Sequence, residues 1–168
     1  MSTAQELLDA DQVIRSSMAA LGEAIGAVST QTPPAFARAV QARHNLMLQI
    51  EAEYGLLTST QTGQRMGSRS KTPRNLAAAT RLAGRLLAVT RGNAAYYPGF
   101  QFDSDGQPLL AIAQLCKLAA QSHWSEHGVI EWLMAPTTYL GGERPVDLLV
   151  DDPGSVLDAA RAAWNVSW

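Results

Sequence analysis

Residues 56–102 read LLTSTQTGQRMGSRSKTPRNLAAATRLAGRLLAVTRGNAAYYPGFQF, and their pattern predicts two short helices followed by a hairpin. Thr58 is a residue type that caps helices, and it precedes a short predicted helix over residues 59–66. Gly67 follows this helix, because glycine readily adopts the left-handed conformation that ends one. Residues 68–72 are then polar and basic, which predicts an exposed turn.

A second helix and a hairpin complete the pattern. Proline is common at the first helical position, so Pro73 predicts a helix that continues to residue 83 and ends at Gly84. Residues 86–89 and 95–98 are predicted as two strands, joined by a turn at residues 91–93. Two short helices followed by a hairpin are the arrangement of a helix-turn-helix with a wing.

The charges of this stretch are strongly segregated. It contains seven basic and no acidic residues, whereas residues 103–168 contain nine acidic and three basic ones. A solvated basic face would explain this, but a polyanion partner such as duplex DNA is the interpretation that the segregation favours. The residues expected to contact DNA are Arg65, Arg69, Lys71, Arg74, Asn75, Arg81, Arg85 and Arg91.

Two further helices are predicted before this stretch. Residues 3–28 begin with a capping box and carry apolar residues at alternating spacings of three and four, which is typical of a coiled-coil seam. This helix either packs within its own chain or forms a homodimer contact. A second amphipathic helix is predicted from Pro34 to Glu53, with Phe36, Val40, Ile50 and others on its apolar face and Gly55 as its stop.

Length and composition exclude several classes of protein. A chain of 168 residues with 46% hydrophobic and 17% charged residues can bury a core as one or two domains. Cys116 is the sole cysteine, so no internal disulfide can form and a reducing, cytoplasmic compartment is expected. No apolar run approaches the length of a membrane span, and we expect no membrane association.

The sequence contains no recognisable catalytic constellation. His123 and His127 stand four apart, but a structural zinc needs further ligands, and Ser125 is expected to cap a helix between them. Cys116 lies in an apolar helical stripe, where a buried, unreactive thiol is expected. Phosphate-binding and nucleophile-elbow motifs are absent. We therefore predict a protein that is not an enzyme and has no cofactor or metal.

The C-terminal part carries a motif. Trp132-Leu133, Pro136, Leu140-Gly141-Gly142 and the run from Pro145 to Leu149 follow one another in order. This resembles the toxin-binding domain of the Xre/MbcA/ParS antitoxin family over roughly residues 97–163. The resemblance implies a domain that docks onto a cognate toxin, often of the RES class, in a protein that also represses its own promoter.

These features predict a mainly α-helical protein with three parts: an N-terminal helix over residues 1–30 for dimerisation, a winged helix-turn-helix over 31–98 and a small helical domain over 99–168. The predicted function is a DNA-binding, antitoxin-like repressor. A protein-interaction adaptor and a stand-alone regulator without a toxin are the alternatives. Trp164, Val166 and Trp168 are the expected partner contacts, because no later segment covers them. The aromatic residues at 96–102 form either a small core or a ligand pocket.

Overall fold

A computed structural model describes residues 34–164 of the chain. The chain divides into two compact units, Met1–His44 and Asn45–Trp168. Within the first unit, residues 34–44 are described, and they are helical and exposed. The helix predicted over residues 3–28, with its possible dimer contact, lies outside the described residues.

The described part is mainly helical with one small antiparallel sheet, as the sequence predicted. None of its helices combines the length and the apolar character that crossing a membrane requires. In chain order the elements are α1 (Pro34–Glu53), β1 (Leu56–Thr58), α2 (Ser59–Arg65), α3 (Arg74–Leu82), β2 (Val89–Arg91), β3 (Ala94–Pro98), a 3₁₀ turn (Gly99–Gln101), α4 (Leu110–Gln121), α5 (Glu126–Met134), a 3₁₀ turn (Thr138–Leu140), α6 (Pro145–Leu148) and α7 (Pro153–Trp164).

Helix α1 has the predicted bounds, and Gly55 follows it in a left-handed conformation. The predicted apolar face is only partly correct. Ile50 is fully buried, whereas Phe36 and Val40 are more than half exposed. The 3.6-residue period identifies a helix, but it does not reveal how much of that helix has a surface to pack on.

Helix α2 depends on its caps, because threonine, serine and glycine are weak helix formers. The Thr58 hydroxyl accepts a hydrogen bond from the backbone N–H of Gln61 at 3.2 Å, and the Gln61 side chain accepts one from Thr58 N at 2.8 Å. This reciprocal capping box confirms the predicted start. Gly63 lies so close to Pro73 that an added Cβ would stand under 3.0 Å from the proline carbonyl.

The turn between α2 and α3 covers residues 66–73. Gly67 adopts a left-handed conformation there, and the hydroxyls of Ser68 and Ser70 accept backbone hydrogen bonds two residues ahead at 3.3 and 3.1 Å. Helix α3 begins at Arg74, and Pro73 before it already has helical dihedral angles. The predicted second helix is therefore confirmed to within one residue at each end.

The three strands form a sheet in the order β1-β3-β2, with both pairs antiparallel. In the hairpin Val89 faces Tyr96 and Arg91 faces Ala94, so two residues make the turn. Gly92 has a φ of +60°, which fits the first turn position of a type II′ hairpin. Strand β1 was not predicted. It precedes α2 and α3 in the sequence and pairs with β3, which follows them.

Residues 86–88, predicted as strand, are instead a buried irregular segment stabilised by Gln101. The Gln101 side chain is fully buried. Its Oε1 accepts from Leu87 N at 2.7 Å, and its Nε2 donates to Leu87 O at 2.9 Å and to Pro98 O at 3.0 Å. One amide thus satisfies backbone groups that no strand pairs, which is why the segment can be buried without being a strand.

Two clusters of apolar residues make up the core of Asn45–Trp168. The smaller one lies beneath α3 and the hairpin and contains Ala77, Leu86, Tyr97 and neighbours. The larger one joins Ile50, Leu87, Val89 and Phe100 to residues of α4, α5 and α7. The predicted segments 31–98 and 99–168 therefore share a core, and the aromatic residues at 97, 100 and 102 are buried within it.

The C-terminal motif residues have structural roles. Gly141 and Gly142 adopt left-handed conformations with φ of +65° and +94°, which favour glycine. Pro145 occupies the first position of α6, and Leu149 is buried in the larger core cluster. The motif therefore specifies the local fold of this part of the chain.

A charged network joins the end of α1 to the start of α6. Arg144 contacts both oxygens of Asp147 at 2.8 Å and lies 2.9 Å from a carboxylate oxygen of Glu53. These hydrogen bonds lower the pKa of Asp147, while bonds from Gln49 and then Arg144 lower that of Glu53. Tyr54 donates to Asp147, and burial raises the pKa of its phenol.

Candidate nucleic-acid interface

Helix α3 presents a continuous row of small and polar residues to solvent. Arg74, Ala78 and Leu82 are exposed at successive steps of four, and Asn75 and Ala79 flank them. Leu76, Ala77 and Thr80 point the other way and are buried or half-buried. Since residues four apart lie above one another on a helix, these five exposed side chains form a single face, which we call the reading face.

Five of the predicted DNA contacts are exposed basic residues. They lie on the turn between α2 and α3, on α3 itself, just after α3 and in the hairpin. None of them forms an ion pair with a described residue, so their charges are uncompensated within residues 34–164. These five are Arg69, Lys71, Arg74, Arg85 and Arg91.

Two other predicted contacts are exposed but already engaged. The guanidinium of Arg65 lies 5.3 Å from the centre of the Phe102 ring, a cation–π distance. The side-chain amide of Asn75 donates to the Thr72 hydroxyl at 3.1 Å. Both contacts are local and exposed, and they leave each residue further hydrogen-bonding capacity.

Arg81 is the predicted contact whose surroundings differ most from expectation. Its guanidinium forms a two-pronged ion pair with Glu126 at the first position of α5, with Nε 3.0 Å from the carboxylate. The bond to Glu126 raises the pKa of Arg81. The basic segment has no acidic residue of its own in sequence, but the fold supplies one from a position 45 residues away.

An open cleft lies between one end of the reading face and the hairpin. It has a volume of about 830 Å³ and is bordered by Ala78 and Leu82 of the reading face, by the start of α2, by the hairpin and by the Arg81–Glu126 pair. Ala78 and Leu82 form one side, and Asn93 and Ala94 at the hairpin turn form another. The C-terminal half of α3 and the tip of the hairpin therefore border the same space.

Sequence reasoning missed the apolar part of the reading face. Leu82 is 89% exposed, the largest exposure among the large hydrophobic residues described. Its spacing of four from Ala78 and eight from Arg74 was available in the sequence. An apolar residue on a short helix is ordinarily expected in the core, so this spacing does not by itself indicate exposure.

Trp164 was predicted as a partner contact because no later segment would cover it, and that expectation of an uncovered side chain is wrong. Its side chain is only 5% exposed and belongs to the larger core cluster. It stacks on Trp124 with ring centres 5.0 Å apart and meets Trp132 edge-on at 5.1 Å. These two rings, from the start and end of the α5 region, cover it. Val166 and Trp168 lie outside the described residues.

The residues considered for chemistry are not brought together. His123 has a left-handed backbone conformation ahead of α5, and His127 Nε2 lies 3.1 Å from Glu131. Burial raises the pKa of the Cys116 thiol to about 11, so at neutral pH it is protonated. Within residues 34–164, no group of three or more histidine, cysteine or acidic residues could hold a metal ion.

No protein-family model matches the sequence, and no curated protein does. A search of solved structures finds a similar fold in Rv2175c, a structure determined by NMR. The two chains are 20% identical with a TM-score of 0.58, and the match covers 67% of this chain and 82% of Rv2175c. At this identity the similarity supports the fold.

Proposed function

We propose that this protein is a DNA-binding transcriptional regulator that contacts duplex DNA with α3, the preceding turn and the wing. The observation that carries the proposal is the open cleft, because Ala78 and Leu82 of the reading face border it together with the hairpin tip. The same segment, residues 56–102, carries five exposed cations that form no ion pair with a described residue. In winged helix-turn-helix proteins the second helix enters the major groove, and cationic residues around it bind phosphates.

The charges predict how strongly binding depends on salt. Each phosphate neutralised by lysine or arginine contributes about −0.9 to the slope of log affinity against log salt. If the four unpaired cations other than Arg74 contact phosphates, a slope of about −3.6 is expected. Arg74 and Asn75 at the start of α3 are the residue types that read guanine and adenine, so they are proposed to contribute base preference.

The test is an electrophoretic mobility shift with the DNA upstream of the protein's own coding sequence, measured over a range of salt concentrations. Replacing Arg69, Lys71 and Arg91 together by alanine should weaken binding to all sequences and reduce the slope by about 2.7. Replacing Lys117, an exposed lysine on α4, should leave it unchanged. Absence of binding at low salt, or equal effects of both sets, would overturn the proposal.

The antitoxin-like hypothesis is a finer proposal for the same protein. It is supported by the C-terminal motif, whose glycine and proline positions have the conformations that such residues favour. The burial of Trp164 removes one expected toxin contact. Co-purification of the full chain with the product of a neighbouring RES-type gene tests this hypothesis, and failure to co-purify would leave a stand-alone regulator.

A further inference from the structure

We propose that the apolar end of the reading face, Ala78 with Leu82, recognises the methyl groups of thymine in the major groove. This inference rests on the proposed function and concerns what α3 reads beyond Arg74 and Asn75. The starting observation is Leu82, which is 89% exposed although it is a large apolar residue on a short helix that also carries Arg74 and Arg81.

The shape of the reading face allows a close approach. After Arg74 and Asn75, its outward residues are Ala78, Ala79 and Leu82, so no long or charged side chain separates the helix backbone from a surface in front of it. The major groove is about 12 Å wide and admits an α-helix, and the row from Arg74 to Leu82 extends only about 12 Å along the helix axis. The whole row can therefore lie within the groove at once.

The chemistry of the groove identifies the occupant. Among the four bases only thymine presents an apolar group there, the C5-methyl, and alanine and other apolar side chains contact it. Arg74 lies on the same face, and Arg85 and Arg91 are exposed cations of the same basic segment, while Glu126 at the cleft is paired with Arg81. The excess positive charge of this segment favours a polyanion over an apolar protein surface. A leucine exposed to water in the free protein is thus covered when DNA binds.

Replacing thymine by uracil tests the inference, since uracil differs only in lacking the methyl group. The probe is a 20-base-pair duplex, selected from a random pool by mobility shift with the full-length protein and resynthesised with either base. The wild-type protein should bind the thymine duplex about fourfold more tightly for each methyl group that it buries. Leu82→Ala should reduce this ratio.

Leu110→Ala is the matched control, because Leu110 is 75% exposed at the start of α4, outside the reading face. It should retain the wild-type ratio. Equal binding of both duplexes by the wild type, or the same ratio in Leu82→Ala as in the wild type, overturns the inference while leaving DNA binding intact. Failure to select any duplex would instead refute the proposed function.

A second copy of the chain could also cover Leu82. Analytical ultracentrifugation of the wild type and Leu82→Ala, without DNA, distinguishes this case. The inference expects the same mass for both proteins, and a lower mass for the variant would overturn it.

Discussion

Under the proposed function, removing Glu126 should strengthen DNA binding by releasing Arg81. In the structure the Glu126 carboxylate holds the Arg81 guanidinium at the edge of the cleft that the reading face borders. Glu126→Ala removes a negative charge from this cleft and also the acceptor that fixes Arg81. Arg81 then becomes an additional cation available to phosphates, beside Arg69, Lys71, Arg85 and Arg91, which are already unpaired.

The size of the effect follows from one additional phosphate contact. The slope of log affinity against log salt should become steeper by about 0.9, equivalent to about fivefold tighter binding at 0.15 M relative to 1 M salt. The cost in stability is small, because the side chains of Arg81 and Glu126 are 32% and 37% exposed and such pairs contribute at most about 1 kcal/mol. Loss of an acidic residue from the first turn of α5 adds a similar small cost.

Mobility-shift titrations at several salt concentrations measure this effect, with Glu131→Ala as the control. Glu131 lies on the same helix, is exposed and pairs with His127, so its removal changes the net charge equally but away from the cleft. Combining Glu126→Ala with Arg81→Ala should restore the wild-type slope. The reasoning is refuted if the two single glutamate variants behave alike, or if the gain persists without Arg81.

Two predictions concern stability. Gly63→Ala should destabilise the fold by about 1–3 kcal/mol in urea unfolding, because the added Cβ meets the backbone of Pro73. The control Gly154→Ala has room for the methyl group and should be neutral or slightly stabilising. Equal effects of the two substitutions would contradict this packing argument. Arg144→Met should destabilise most above about pH 5, because the lowered pKa of Asp147 contributes stability that is lost as pH falls through it. The difference in free energy of unfolding between the wild type and Arg144→Met should therefore shrink as pH is lowered from 7 to 2. A difference that does not change with pH would contradict this role of Asp147.

Features encoded by neighbouring residues could be predicted from the sequence. The start of α2 depends on Thr58 and Gln61, three residues apart, and the start of α5 on Ser125, whose hydroxyl accepts from Gly128 N at 3.0 Å. The hairpin turn at Gly92 is equally local. In each case the side chain that selects the conformation lies within one turn of the backbone that it stabilises, so the pattern is visible in a short window.

Features that depend on distant residues could not be predicted. Residues 86–88 look like a strand because they are apolar, but their backbone is paired by the Gln101 side chain instead. Trp164 looks exposed at the end of a chain, but Trp124 and Trp132 cover it. For the candidate site, the cations were identified from composition alone, whereas the partner of Arg81 required knowledge of where α5 packs.

Under both proposals, the Arg81–Glu126 ion pair and the apolar residues Ala78 and Leu82 together determine how well the protein distinguishes its own site from random DNA. Binding to random DNA comes from phosphate contacts, which every sequence offers, so a cation sequestered by Glu126 weakens random binding as much as it weakens binding to the correct site. Contacts of Ala78 and Leu82 with methyl groups are available only where thymine is present. What matters in a genome is the ratio of specific to random affinity, since random sites are far more numerous. Fewer free cations lower the total affinity for DNA without lowering the ratio of specific to random affinity. Contacts of Ala78 and Leu82 with thymine raise that ratio. Glu126→Ala is therefore expected to bind tighter but not more selectively, whereas Leu82→Ala is expected to bind less selectively with an unchanged salt slope.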